Sequence, residues 1–371
     1  MEAAIRLLGV TKRFSETGAP AVTDLDLDVP AGAVVALIGP SGCGKTTTLR
    51  MINRLIEPSA GRIEVGGVDV TSQQLTELRR GIGYLIQEVG LFPHRTVAQN
   101  IATVPRVLGW DRARCAERVE ELVDLVGLDD SMLERYPHEL SGGQQQRVGV
   151  ARALAAAPPV LLMDEPFGAV DPIVRTRLQD ELRSLQARLQ KTIVLVTHDI
   201  DEAIRVADRI ALMNVGGVLE QYASPDEMLR APASPFVEQF IGADRGMKRL
   251  RLHTVDELPF LQGPVVDAAS GHDEADAALE ASGGDWLGVT RDGRFAGWVH
   301  RSQLDRTRPL DEAPLVLPAA QVAPTSSLHH AVEVIMASDT SVAVIDDGGR
   351  FGGVATLEHI RKGLSLQDGR T

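Results

Sequence analysis

Ala33-Val34-Val35-Ala36-Leu37-Ile38-Gly39-Pro40-Ser41-Gly42-Cys43-Gly44-Lys45-Thr46-Thr47 is the stretch on which the fold turns. Its first six residues are an unbroken apolar run of β-branched character, as expected of a strand buried on both faces of a sheet. Pro30-Ala31-Gly32 punctuates the chain just before it, a glycine-rich loop follows at once, and Thr46 to Leu55 reads as a helix. Strand, loop and helix in that order aim backbone N–H groups at one point, beside the positive end of the helix.

The loop fits the P-loop pattern, so phosphate is the expected occupant. Its glycines would turn N–H groups onto phosphate oxygens, Lys45 would reach the β- and γ-phosphates, and the Thr46 hydroxyl would ligate Mg2+. Gly39 through Thr47 are therefore the candidate ATP contacts here.

Further along, Val160-Leu161-Leu162-Met163 follows Pro158-Pro159, and Thr192-Ile193-Val194-Leu195-Val196 follows a helix expected from about Arg175 to Gln190. Between Asp111 and Val126, apolar residues at Val119, Leu122, Val123 and Val126 sit among charges, the spacing of a helix with one buried face. Strands alternating with helices indicate an α/β fold with a parallel sheet. Asp164 and Glu165 close the strand that begins at Val160. At the carboxyl end of a parallel strand Asp164 can hold Mg2+ through water, and Glu165 can act as general base toward an attacking water.

Composition narrows the class. A chain of 371 residues is long enough for two domains, and 44% hydrophobic with 24% charged residues is ordinary for a globular protein. With 51 acidic against 38 basic residues the formal net charge is −13, which argues against a general nucleic-acid binder. Two cysteines imply no disulfide framework and fit a reducing cytosol. Met1-Glu2-Ala3-Ala4-Ile5-Arg6 lacks the layout of a signal peptide, and no uncharged apolar run approaches membrane-spanning length.

Leu140-Ser141-Gly142-Gly143-Gln144 reads from its residues as a Ser-Gly-Gly turn capping a helix that begins near Gln145. It also resembles the signature of ABC-transporter ATPases. The resemblance covers roughly Ile5 to Ile241 and implies more. Gln87, after the strand Gly83 to Ile86, is similar to the Q-loop glutamine that contacts Mg2+ and the permease. Ala169-Val170-Asp171 stands where the family's D-loop usually reads Ala-Leu-Asp, and His198 resembles the switch histidine that senses the γ-phosphate. Phe14 sits where the family often stacks an aromatic ring on adenine; read alone, it is equally a core residue of the first strands.

The resemblance implies a P-loop cassette over residues 1–242, with a parallel-sheet core, an antiparallel β subdomain and a helical insert at about 92–155 facing the permease. It implies two subunits, as a homodimer or with a relative, closing head to tail around two ATP molecules, each site completed by the other subunit's Ser141, Gly142, Gly143 and Gln144. Integral-membrane permease subunits and an extracytoplasmic solute-binding protein are the implied partners. The implied location is peripheral, on the cytoplasmic face of the membrane.

Residues 243–261 are charged and read as a linker. Beyond lies a two-copy α+β repeat, at about 262–310 and 311–365. Trp286 to Val299 lines up with Ser341 to Ala355, each copy being a strand, a tight Asp-Gly or Gly-Gly turn and a strand, preceded by helical stretches Glu274 to Ala281 and Ser327 to Ala337. The repeats resemble a tandem pair of CBS domains. That pattern commonly ends Gly-x-x-Thr-x-x-Asp; the second copy has Gly353, Thr356 and His359, the first Gly297, His300 and Gln303. Nucleotide binding and a structural, dimer-stabilising role both stay open for this tail. With Tyr84 to His94, the tail is similar to uptake subunits for quaternary-amine osmoprotectants such as glycine betaine, carnitine and choline. An importer of another solute, and a regulatory ABC ATPase without a permease, are the competing expectations.

Overall fold

The computed structural model describes residues 3–87, 89–168, 172–258, 263–316, 321–337, 342–347 and 350–367. The chain divides into two compact units, Met1–Ala243 and Asp244–Thr371.

The described residues of the first unit form two sheets. Strands β1 (Ala3–Lys12), β2 (Val22–Pro30), β4 (Ala60–Val65) and β5 (Val68–Asp69) form an antiparallel sheet in the order β2-β1-β4-β5. Leu25-Asp26-Leu27-Asp28-Val29 shows why: strict alternation puts every second side chain on the inner face. The other sheet comprises β3 (Val34–Ile38), β6 (Ile82–Leu85), β7 (Val160–Asp164), β8 (Thr192–Val196), β9 (Arg209–Asn214) and β10 (Val218–Ala223), in the order β10-β9-β3-β8-β7-β6. All its pairs are parallel except β9 with β10. Every residue of β3, β7 and β8 is buried, as covering on both faces demands. Ile5, Leu7, Leu27 and Val29 of the first sheet share one core with Val35, Leu37, Val194 and Val196 of the second.

Among the described residues, four α-helices lie between β6 and β7: Val97–Ile101, Thr103–Val107, Arg112–Leu125 and Gly142–Leu154. Arg112–Leu125 buries Val119, Leu122 and Val123, and Cys115 joins that face. The helix after β3 runs Lys45–Ile52 and stops short of Leu55. Arg54 takes a φ of +48°, and the amides of Arg54 and Leu55 return to the Met51 and Arg50 carbonyls, a Schellman end. The helix expected from Arg175 starts earlier, at Pro172. Strand β6 ends at Leu85 rather than Ile86, because the Ile86 carbonyl instead accepts the Val89 N–H in a turn.

In the second unit, β11 (Val265–Asp267), helix His272–Ser282, β12 (Trp286–Arg291) and β13 (Arg294–His300) make one three-stranded sheet with its helix. The same order recurs in β14 (Gln321–Val322), helix Leu328–Ala337, β15 (Val342–Asp347) and β16 (Arg350–Thr356), followed by helix Leu357–Gln367. Asp292 and Gly293 both have positive φ, 51° and 73°, the conformation a two-residue hairpin turn needs. Its counterpart, Gly348-Gly349, lies outside the described residues. Phe295 stacks on Phe351 at 5.4 Å, joining the two hairpins.

Within the stretch expected as a linker, residues 244–258 fold as part of the second unit, while 259–261 lie outside the described residues. Arg245–Leu250 is a helix and Val255–Glu257 a 3-10 turn. Leu250, Val255 and Leu258 are buried with Val322, Leu328, Ile335, Ala355 and Ile360 of the second copy. The Val255 amide donates to Ser326 and the Leu328 amide to His253. Leu310, just before the second copy, is buried in the core of the first, with Val266, Leu279 and Val289. The apolar segment ahead of each copy thus completes the core of the other.

Candidate functional site

The loop after β3 is shaped by close approach. At Gly44, φ is +96°, and an added Cβ would come within 2.4 Å of the Ala21 carbonyl oxygen. At Gly39, φ is +143°, with the Met213 carbonyl oxygen 2.1 Å from such an atom. No side chain fits at either place. Lys45 is 7% exposed, and its ammonium donates to the Gly39 and Pro40 carbonyls at 2.8 and 3.0 Å. Ser41 and Gly42 are exposed, Cys43 is fully buried, and Thr46 and Thr47 are half-buried in the first helical turn.

Strand β7 ends beside that turn. The Thr46 hydroxyl donates to Asp164 Oδ1 at 2.9 Å. Asp164 is buried, and desolvation pushes its carboxyl above the ordinary range, more than the Thr46 hydrogen bond draws it down. Glu165 follows with φ +47°, an uncommon conformation for a side-chain-bearing residue. Its N–H donates to Val196 and its own carbonyl accepts from the Gly168 N–H, so the turn holds it there. Two neighbours then meet its carboxylate: the Gln87 amide donates at 3.2 Å, and His198 Nδ1 stands 3.4 Å away. Gln87, Glu165 and His198 come from loops after three adjacent parallel strands.

Hard oxygen donors at Thr46 and Asp164 beside a phosphate cradle are a fitting donor set for Mg2+, which takes few protein ligands and completes its shell with water and phosphate. Among the described residues no group of three or more acidic, histidine or cysteine side chains forms an all-protein metal cage.

Ser141, Gly142, Gly143 and Gln144 stand apart. Ser141 caps the helix Gly142–Leu154 in a capping box with Gln144, and Ser141 and Gly142 are exposed. Among the described residues no hydrogen bond or ion pair joins them to the loop at Gly39–Thr47. Phe14 is no core residue: it is 68% exposed, with the Lys12 ammonium 5.3 Å from its ring centroid. It projects from the loop closed by the Ala21 to Lys12 hydrogen bond, next to Gly44. Asp171 lies outside the described residues.

One support of this site escapes a reading of the sequence. Glu202 is buried, accepts the Thr197 hydroxyl at 2.5 Å and lies 3.6 Å from Arg175. Burial raises its carboxyl pKa. Through Thr197 it fixes the turn that carries His198, while Asp199 caps the next helix. The only trace in the sequence is a glutamate among Ile200, Ala203 and Val206, on the buried side of a short helix.

Fold and loops together define a P-loop nucleotide-binding cassette with a second α/β unit. A family model described as "ABC transporter" matches residues 22–168. The osmoprotectant import ATP-binding protein OsmV of Salmonella typhimurium is 45% identical over 376 residues, 99% of this chain and 97% of that protein. The glycine betaine/carnitine/choline transport ATP-binding protein OpuCA of Bacillus subtilis is 56% identical over 241 residues, 65% of this chain and 63% of its own length. A dimeric, post-hydrolysis ATP-binding cassette bound to ADP and Pi superposes with a TM-score of 0.54 at 32% identity, covering 59% of this chain and 98% of that one. The chain belongs to the ABC-transporter ATP-binding family.

Proposed function

We propose that this chain hydrolyses ATP to power a separate membrane permease that imports a quaternary-amine osmoprotectant such as glycine betaine, choline or carnitine. The carrying observation is the meeting of Gln87, Glu165 and His198 beside the Thr46–Asp164 pair at the carboxyl edge of the sheet. The osmoprotectant assignment is supported by similarity to an osmoprotectant import protein along 99% of the chain, tail included.

In this reading Phe14 stacks on the adenine, and Lys45 leaves its loop carbonyls for the β- and γ-phosphates. Thr46 and Asp164 would hold Mg2+ with Gln87, and the ion would draw charge from the phosphate oxygens. Glu165 accepts the proton of the water whose oxygen bonds to the γ-phosphorus as the bond to ADP breaks. His198 orients the γ-phosphate. Positioning and charge stabilisation provide the rate. Two copies close head to tail, and Ser141 of each reaches the nucleotide of the other, which suits its exposed place. The pair works from the cytoplasmic face of the membrane, against the permease, with an extracytoplasmic binding protein delivering solute. None of the helices among the described residues is long and apolar enough to cross a membrane itself.

The tail is a CBS-like pair whose role is structural. Thr356 caps the helix Leu357–Gln367 through the His359 amide, and His300 does the same for Ser302 in the first copy. Both thus serve the local backbone.

The test is ATP-driven uptake of labelled glycine betaine, choline and carnitine by vesicles holding this chain with its permease and binding protein. Uptake of at least one, lost in Lys45→Ala, is expected. Transport of none of these three, with another solute taken up, would refute the quaternary-amine assignment.

A further inference from the structure

Arg152 is a partly buried cation, and among the described residues no ion pair involves it. It sits near the end of the helix Gly142–Leu154. Its guanidinium donates to the carbonyls of Gly90 at 2.7 Å and Val89 at 2.5 Å. Both residues have a φ of +57°, and for β-branched Val89 that conformation is held only by its surroundings. One turn back along the same helix, a Cβ at Gly149 would come within 2.4 Å of Val89 Cγ1 and 2.8 Å of Leu85 Cδ1. The absent side chain lets the loop lie directly on the helix, and the two-pronged donation pins it there. Arg95 and Arg152 both lie near the Phe92 ring, at 4.7 and 5.9 Å from its centroid.

The two ends of this clamp matter. The loop begins at Gln87, whose amide meets Glu165; the helix begins at Ser141. We infer that Arg152 is a positioning residue that locks the Gln87 loop to the Ser141 helix, so that both shift as one body. Docking of Ser141 on the nucleotide of a second copy is then felt at Gln87 and Glu165 of its own site. This consequence for hydrolysis rests on the transporter reading; the clamp itself does not.

The test uses the full chain as wild type, Arg152→Lys and Gly149→Ala. Lysine keeps the charge but cannot span both carbonyls. Amide hydrogen exchange over residues 86–91 should quicken about tenfold in each variant, with strand β7 unchanged, as expected for loss of one charged hydrogen-bond pair. In steady-state hydrolysis, kcat should fall about tenfold with the KM for ATP within about twofold, and the ATP dependence should become less sigmoid. Unchanged exchange at 86–91 in both variants would overturn the clamp, and so would exchange that rises equally in β7. Faster loop exchange with kcat as in wild type would overturn the coupling. A wild type that hydrolyses no ATP would sink the transporter reading, and the exchange result would still decide the clamp.

Discussion

His198 Nδ1 stands 3.4 Å from the Glu165 carboxylate, although the two residues lie on different loops and the histidine side chain is largely exposed. The contact joins a carboxylate held in its turn to an exposed imidazole. His198→Ala should lower kcat by about 10²–10³, the usual scale for a group that orients or transfers protons, and leave the KM for ATP nearly unchanged. Steady-state kinetics with the purified chain check this. A large rise in KM instead would make His198 a binding residue.

Asp164 should trade stability for function. Its raised pKa means that the folded chain holds the proton more tightly than the unfolded chain. The favourable contribution is therefore complete below the unfolded carboxylate value and is lost as pH rises through the folded one. At neutral pH the buried charge costs stability, and Asp164→Asn removes that cost. Without ligands, the variant should melt about 2–4 °C above wild type, the shift that about 1 kcal/mol gives in a domain of this size. The difference should vanish at acidic pH. Mg-ATP should stabilise the wild type and fail to stabilise the variant; thermal scans with and without it report both.

Ser141 serves its own helix and, in the proposed dimer, the other copy. Aspartate separates the two, because it caps a helix N-terminus as well as serine does but repels phosphate. Ser141→Ala should cost about 1 kcal/mol of stability. Ser141→Asp should keep wild-type stability and ATP binding while abolishing ATP-dependent dimerisation in light scattering. Dimerisation by the aspartate variant would remove Ser141 from the junction.

The burial of Leu250, Val255 and Leu258 makes the place of truncation matter. A chain ending at Ala243 leaves none of them behind, whereas one ending at Leu258 leaves all three without their second-copy neighbours. The shorter chain should stay monodisperse and hydrolyse ATP, and the longer one should aggregate in size-exclusion chromatography.

The same segment shows where the sequence stops being readable. Its apolar residues are isolated among Arg245, Lys248, Arg249, Asp256 and Glu257, and their packing partners lie roughly 65 to 110 positions further on. Nothing local announces that burial. By contrast β3, β7 and β8 are uninterrupted apolar runs, and a strand covered on both faces can hardly look otherwise. Strand β9 is missed because Ile210-Ala211-Leu212-Met213 is as short and apolar as a piece of buried helix.

The site divides in the same way. The glycine loop and its Lys45 are a contiguous pattern whose backbone geometry demands those residues. The Asp164-Glu165 pair is legible from its position at a strand end. Arg152 and Glu202 are not, since one grips carbonyls 62 and 63 residues earlier and the other braces a turn from within an ordinary helical face. Phe14 reads from sequence as either packing or recognition, and only its exposure separates the two.

The most direct measurement is ATP hydrolysis by Glu165→Gln beside wild type, with the oligomeric state followed by light scattering. Glutamine keeps the size of the side chain and can still hydrogen-bond to Gln87, but it cannot take the proton of the attacking water. Turnover should fall by about 10²–10⁴, the contribution of a general base, while Mg-ATP locks the variant as a dimer. Hydrolysis by Glu165→Gln at the wild-type rate would contradict it.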